Sequence, residues 1–524
     1  MNLRYIILSA TILFICGQQS SGSNVELFPM APALSFDSRV SVSINGNKVK
    51  ADYFKNFHKK DHIHFFESTR VRLASDGAID VKVDIDLPLI PSAVLRSVGK
   101  DFNVKISGSS LKFTLQGPGN YYLQLPCLAK PEGTYTILFF IDDLAHIKAQ
   151  GEMLSREKYQ NIREFDIISD ENLDQTEKIQ QVLSRGGNIL FPKGIYRTGN
   201  LKILSNTSVF LARGAMIKGT NNYHLKGASA FFDIENAENV KVFGQGIIDV
   251  NGMAAFDSVA NSKTHGFDIA GSRNIYFEDF LIQGSNSWCI HIKYSKFFTA
   301  DNLKVFSGKD GFDPDASQDV IIKNSSIQSL DDAFAVKNRY PEKSTTERVL
   351  MKNCIVTSVK SSLKVGTESK GLIRDVTWED MDVYDCERGI VLYASDGGPV
   401  ENITWRNVRM YMIDWVHEKL SGTAFHLYIR MREKPTPVKN CLIENVQTNF
   451  IYTSQFEGLP DAPLDGVRMK NISITADTPK KNNCTLFEFT KNVSIIIDGL
   501  HINWKNNKNQ WTGLISGDGL KIIN

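Results

Sequence analysis

GKDGFDPDASQDVIIKNSSIQSLDDAFAVKN, Gly308–Asn338, holds the repeat that decides the fold. Its middle, VIIKNSSI from Val320, sets two short apolar runs around an Asn. The same form returns as IYFEDFLI at Ile275, FTADNLKV at Phe298, VLMKNCIV at Val349 and VTWEDMDV at Val376. ITWRNVRM at Ile403, CLIENVQT at Cys441, VRMKNISI at Val467 and IIIDGLHI at Ile495 complete the series. Successive starts lie 23, 22, 29, 27, 27, 38, 26 and 28 residues apart. A period in the twenties with insertions marks a stacked array. Two strands around an Asn or Asp corner, once per coil, predict a parallel β-helix, because these residues tolerate left-handed backbone. The Leu-x-x-Leu-x-Leu frame of a leucine-rich repeat is missing, and the spacing is too short for propeller blades of about 40–50 residues.

Upstream, residues 24–150 carry short alternating segments: Val40–Ile44, His62–Phe66, Ile79–Ile85, Phe102–Ile106, Leu111–Leu115 and Tyr135–Ile141. Regularly spaced short strands predict a β-sandwich. It reads either as a carbohydrate-binding face or as a packing module that shields the end of the next domain. Leu154–Leu173 reads as a linker and leading strand. Asp174–Leu183 reads as one amphipathic helix, capped by Asp174 with Glu177 at the capping-box position and Ile179, Val182 and Leu183 as its apolar stripe. The predicted organisation is therefore 1–23 leader, 24–153 β-sandwich and 154–524 β-helix.

The chain has 524 residues, with 60 Lys+Arg against 58 Asp+Glu for a net charge of +2. That balance gives a nucleic-acid partner no electrostatic support. Met1–Arg4 followed by the apolar run Tyr5–Cys16 reads as a secretory signal. Leu13–Cys16 resembles a bacterial lipobox with Ile15 out of pattern. A lipid on Cys16 would attach the chain to a membrane; cleavage in Gln18–Ser23 would release it. The expected location is periplasmic, outer-membrane or extracellular. Six further cysteines stand far apart without CxxC spacing, so buried thiols are expected rather than a zinc site.

Asp310 and Asp313 fall on one coil and Asp331 and Asp332 on the next, with 21 residues from Asp310 to Asp331. Stacked coils bring such residues to about 4.8 Å. Crowded carboxylates titrate apart, leaving one protonated beside ionised neighbours. An acid beside a base can hydrolyse a glycosidic bond, and inversion needs a gap of roughly 6.5–9.5 Å. On spacing alone, Ca²⁺ binding and plain turn structure remain open. Asp315 and Asp319 read as turn residues.

These motifs resemble glycoside hydrolase family 28, the polygalacturonase-like enzymes, and the related dextranase-like family 49. Gly308–Asp313 resembles the family's Asn-Thr-Asp-Gly-[Phe/Ile]-Asp element, and Leu330–Lys337 its Gly-Asp-Asp-x-[Ile/Phe]-Ala-[Ile/Val]-Lys element. Asn188–Gly219, Gly244–Gly252 and Ser285–Ile292 are similar to further family segments, so the likeness covers about residues 165–505. It implies a right-handed, pectin-lyase-like β-helix and inverting hydrolysis of a poly- or oligosaccharide, with no cofactor and no metal. It assigns Asp331 as general acid, and Asp310 and Asp332 as the pair that holds and deprotonates water. Asp313, Lys337, His291, Lys364, Glu368, Arg388 and Tyr393 are its substrate-binding candidates. Lys337 reads equally as a neutraliser of the acidic patch, and His291, after Trp288, as a cleft-wall or a corner residue.

The departures bear on substrate. Ser361 stands where the family has His, and Val391 and Tyr393 stand near its Arg and Lys. Without those cations a uronate loses charge-assisted partners. Plain polygalacturonate is therefore disfavoured, with Tyr393 a stacking platform for a neutral sugar, while Lys364 and Arg388 keep an acidic or sulfated sugar open. Trp415, His417, His426 and Arg430 lie in the longest insertion, Asp414–Asn440, which shapes a cleft or is a packed loop. Trp378 and Trp405 read as stacked core. Two rivals stand beside a hydrolase: a lyase on the same fold, whose product would absorb through a new C=C bond, and a non-catalytic glycan-binding β-helix.

Overall fold

Each repeat bends at its fifth residue. In the computed structural model these corners, among them Asp279 (φ 70°), Asn324 (φ 53°), Asp380 (φ 54°), Asn471 (φ 53°) and Gly499 (φ 77°), adopt left-handed backbone. Bulky residues rarely enter that region, whereas Asn, Asp and Gly do so cheaply. Corner side chains also bond from coil to coil. Asn353 Nδ2 donates to Asn324 Oδ1 at 2.6 Å, Asn445 to Asn407 at 3.1 Å and Asn471 to Asn445 at 3.0 Å. The structure describes residues 23–31, 34–57, 64–130, 133–221, 230–252, 263–413, 421–479, 484–505, 510–517 and 519–523. Residues 1–22 of the expected leader with Cys16, together with Trp415 and His417, lie outside them.

The repeat starts pair in one parallel register, Ile275 with Phe298, Phe298 with Val320, Val320 with Val349, and so on to Val467 with Ile495. Two legs of each coil build a 20-stranded sheet and the third leg a 12-stranded sheet. The fold is an all-β, right-handed parallel β-helix with an N-terminal β-sandwich. No helix among the described residues is long and apolar enough to cross a membrane.

Inward residues of successive coils stack. The indoles of Trp378 and Trp405 lie 5.2 Å apart with planes 2° from parallel, both fully buried. Trp405 Nε1 donates to the Leu363 carbonyl at 3.3 Å. Trp405→Ala should cost about 3–5 kcal/mol and Trp405→Phe clearly less, read as the drop in thermal midpoint. Equal losses would mean that the ring retained by Phe contributes nothing and that the cost lies in the indole and its hydrogen bond to Leu363.

Helix α2 (Thr176–Leu183) seals the first coil with buried Ile179, Val182 and Leu183. It starts two residues later than expected. Gln175 is the N-cap, and the Asp174 carboxylate accepts from Thr176 N at 3.0 Å. The reading of 154–173 as linker and strand missed a helix, α1 (Leu144–Arg156), which ends inside it. The six described cysteines are free, and burial pushes the thiols of Cys289, Cys354, Cys386 and Cys441 up to about 12.

The sandwich consists of a seven-stranded and a five-stranded sheet over a core including Val83, Leu95, Leu111, Leu123 and Phe139. Val40–Ile44 and Ile79–Ile85 are strands as expected. Phe102–Ile106 is not one strand: Lys100–Phe102 and Lys105–Ser107 belong to different sheets. The expectation of an end shield is also corrected, because the module lies along the flank. Tyr122, Leu138 and Phe140 pack on Met216, Ile247, Leu281, Phe306 and Ile355, outward residues of successive coils. Polar ties follow the same line: Arg70 to Gln283 (2.9 Å), Lys304 to Asp142 (2.9 Å) and Asn56 Nδ2 to the Ser307 carbonyl (2.8 Å).

Candidate active site

The site occupies the 12-stranded face. Strand Phe312–Asp315 follows the turn that carries Asp310, and strand Phe334–Asn338 follows the turn that carries Asp331 and Asp332. Phe312 pairs with Phe334, and both rings stack inward at 5.7 Å, which fixes the register of the two turns. Nearest carboxylate oxygens of Asp310, Asp331 and Asp332 all lie within 4.8 Å of one another. That is tighter than the roughly 6.5–9.5 Å expected for inversion, because Asp331 and Asp332 are chain neighbours and Asp310 is one coil away.

The three differ in their surroundings. Asp332 is buried and accepts from Ser361 N (3.1 Å) and Lys364 Nζ (2.5 Å). Burial opposes its charge, but Lys364 and Arg388 outweigh burial and hold the carboxyl below the usual range. Asp310, also buried, accepts from Lys337 Nζ at 2.9 Å. Asp331 is only partly buried, and its carboxyl has no hydrogen-bond partner among the described residues. Burial, then the charges of Asp310 and Asp332, push it up to about 7.

Lys337 is 3% exposed and lies 2.6 Å from Asp313, 4.0 Å from Glu368 and 3.8 Å from the Trp288 ring centre. Burial disfavours its charge, but Asp310, Asp313 and Glu368 hold it protonated. Asp313 is sealed; burial, with Asp310 beside it, raises its carboxyl well above the usual range against the pull of Lys337. It faces Lys337 and not the open cleft. His291 is likewise 3% exposed and sits in a separate network with Asp268 (3.4 Å), Asp315 (3.4 Å) and Arg339 (3.0 Å), edge-on to Trp288. Asp315 is no turn residue: it is fully buried and accepts from Arg339 N and Nε. Asp319 lies in strand Gln318–Lys323 at a left-handed corner, φ 57°.

Further along the face, Arg388 donates to the Tyr393 hydroxyl (2.7 Å), which shares a hydrogen bond with His426 Nδ1 (2.6 Å). Burial, with Arg388 and Arg430 nearby, pushes His426 down to about 2, so its ring is neutral. His426 is not in a loop but in strand Thr423–Ile429. Glu387, buried 3.2 Å from Arg388, and Asp268 were not picked out from the sequence. Asp268 could have been: it pairs in register with His291, 23 residues on. Nothing in the sequence pointed to Arg339.

Comparison with known proteins places this face in context. The chain superposes on the Yersinia enterocolitica family 28 exopolygalacturonase with TM-score 0.55 and 15% identity, over 85% of this chain and 96% of that one. It superposes on Dex49A from Penicillium minioluteum with TM-score 0.56 and 10% identity, over 95% and 96%. At such identities the likeness shows the fold. A protein of Vitis vinifera named "Probable polygalacturonase" is 22% identical over 341 residues, which cover 57% of this chain and 70% of that one. The fold and the relatives define an O-glycosyl hydrolase on a parallel β-helix. The family model described as "Glycosyl hydrolases family 28" matches residues 186–495, and the chain belongs to that family.

Proposed function

We propose that the chain hydrolyses a glycosidic bond with inversion at the anomeric carbon, with Asp331 as general acid and Asp310 and Asp332 as the pair that positions and deprotonates water. Residues 24–153 form the supporting domain and 154–524 the catalytic one. Residues 1–23 direct export. The observation that carries the reading is the opposite shift of Asp331 and Asp332, raised and lowered, in a cluster with Asp310 whose oxygens lie within 4.8 Å. Asp331 keeps its proton near neutrality, is only partly buried and has no competing hydrogen bond among the described residues, so it can protonate a leaving oxygen. Asp332 stays ionised and can take a proton from water. Lys337 and Lys364 already occupy oxygens of Asp310 and Asp332, which favours acid–base use over Ca²⁺ binding.

The short spacing favours one rival, retention through a covalent intermediate, since retaining pairs stand about 5–5.5 Å apart. Against it, Asp310 and Asp332 are each bound by an ammonium, which lowers their nucleophilicity. Proton NMR of the first product decides: an inverted anomer is expected, and a retained one overturns the assignment.

The substrate is a polygalacturonan-like glycan other than the plain polymer. Val391 is fully buried and the Tyr393 hydroxyl is engaged, so neither replaces the cations missing at those positions. A screen of plant and algal polysaccharides for reducing-end release tests this. Preference for unsubstituted polygalacturonate over all others would contradict it.

The pH profile follows from the same two groups. The acid must be protonated, so the rate should fall as pH rises through about 7. The base must be ionised, so the acid limb should lie below the usual carboxylate range. A rate still rising at pH 8 would reverse the roles.

A further inference from the structure

Tyr393 is ringed by cations. Lys364 Nζ lies 5.4 Å from its ring centre, Arg388 5.7 Å and Arg430 5.8 Å. Two of the three charges are spent. Lys364 holds Asp332 at 2.5 Å, and Arg388 holds Glu387 at 3.2 Å and the Tyr393 hydroxyl at 2.7 Å. Arg430 is different. It is exposed and has no carboxylate within ion-pair distance among the described residues. Its guanidinium lies 4.8 Å from the Tyr428 ring centre, and its backbone N–H is fixed on the Ala394 carbonyl at 2.9 Å. Two residues on, Arg432 is tied to Asp396 through Nε (2.6 Å) and Nη2 (2.5 Å). An arginine held on aromatic faces with its fork unused is preorganised to take two oxygens of an anionic group.

We propose that Arg430 is a specificity-determining residue: beside Lys364 and Arg388 at Tyr393, it selects a glycan carrying an anionic substituent, a carboxylate or a sulfate ester, on a sugar near the bond cleaved. The cation stands on the residue that follows the Thr423–Ile429 strand, one coil beyond the Val391 and Tyr393 positions, so it reaches the substrate from a new direction. This deepens the hydrolase reading and rests on it for the position of the cleaved bond.

The test measures binding without turnover. In an Asp331→Asn background, calorimetry compares a galacturonate oligosaccharide, its methyl ester and a sulfated galactose oligosaccharide of equal length, with Arg430 intact, Arg430→Gln or Arg430→Lys. The better charged ligand should bind at least tenfold tighter than the ester, and which one it is distinguishes carboxylate from sulfate. Arg430→Gln should erase most of that gap and leave the ester unchanged; Arg430→Lys should keep part of it. Added salt should narrow the gap with Arg430 present and have little effect without it. In the active enzyme, Arg430→Gln should raise KM on the charged substrate while kcat holds. Equal affinity for charged and esterified ligands, or an equal loss on both with Arg430→Gln, overturns the proposal. Because the affinities do not depend on turnover, a failed acid–base assignment would show in the NMR experiment and leave this result standing.

Discussion

Asp331→Asn should lower kcat by about 10²–10⁴-fold, the usual worth of a positioned general acid, while raising the thermal midpoint above pH 7. Both effects have one origin. Burial and two neighbouring carboxylates lift the Asp331 carboxyl from 3.8 to about 7. A carboxyl whose folded-state value is raised binds its proton more tightly when folded. Its contribution to stability is therefore complete below about pH 4 and is lost as pH rises through about 7. Above that, the native state carries an ionised group it would rather keep neutral, a cost on the order of a few kcal/mol. The amide never ionises and escapes it. The midpoint gain should be near zero at pH 4, grow between pH 4 and 7, and level off at roughly a few degrees by pH 8. The pair of results is discriminating. A residue that merely supports the turn would lose stability and activity together. A base would lose activity without gaining stability at high pH. If the variant is inactive but no more stable at pH 8, the raised proton affinity of Asp331 is wrong, and with it the choice of acid.

The parts of this arrangement visible in the sequence are those that repeat. The corner at the fifth residue of each unit needs left-handed backbone, so Asn, Asp or Gly recurs there and marks the coil. The third leg carries the site and does not repeat. Its outward residues (His291, Asp313, Lys364, Tyr393) serve different local partners, so no periodic pattern survives among them. The acids themselves were legible because two turns one coil apart each carry them. What escaped was pairing across coils with uneven insertions. Lys364 meets Asp332 from 32 residues away and Arg339 meets His291 from 48, distances set by loop length and not by the repeat. The place of the sandwich escaped for another reason. Outward apolar residues such as Ile247, Leu281 and Phe306 sit at alternating positions that in a bare coil would face water. They require a partner but do not say which. The partner reaches the site itself: Asn56 holds the Ser307 carbonyl, the Ser307 hydroxyl donates to the Asp310 carbonyl at 2.8 Å, and Phe66 packs on Leu330 beside Asp331.

Lys337 is the other residue whose loss should be severe, and a second substitution can separate its two roles. Its ammonium is shared between Asp310 at 2.9 Å and Asp313 at 2.6 Å, all three nearly sealed from solvent. Removing one member of a buried ion pair costs about 3–5 kcal/mol because the remaining charge is left uncompensated. Lys337→Met should therefore lower the thermal midpoint strongly. It should also reduce kcat/KM by roughly 10²-fold, since a carboxylate displaced by an ångström no longer holds water in line. The acid limb of its rate profile should move to higher pH, because Lys337 is one of the charges that hold the Asp332 carboxyl low. Asp313→Asn added to Lys337→Met removes the excess buried carboxyl. If Asp313 exists to seat the lysine and Asp310 to use it, the double variant should recover much of the stability and little of the activity. Recovery of both would make Lys337 a neutraliser alone. Recovery of neither would mean that the ammonium chiefly serves through its contact with Trp288, 3.8 Å away, and Trp288→Leu should then reproduce the defect of Lys337→Met with both aspartates in place.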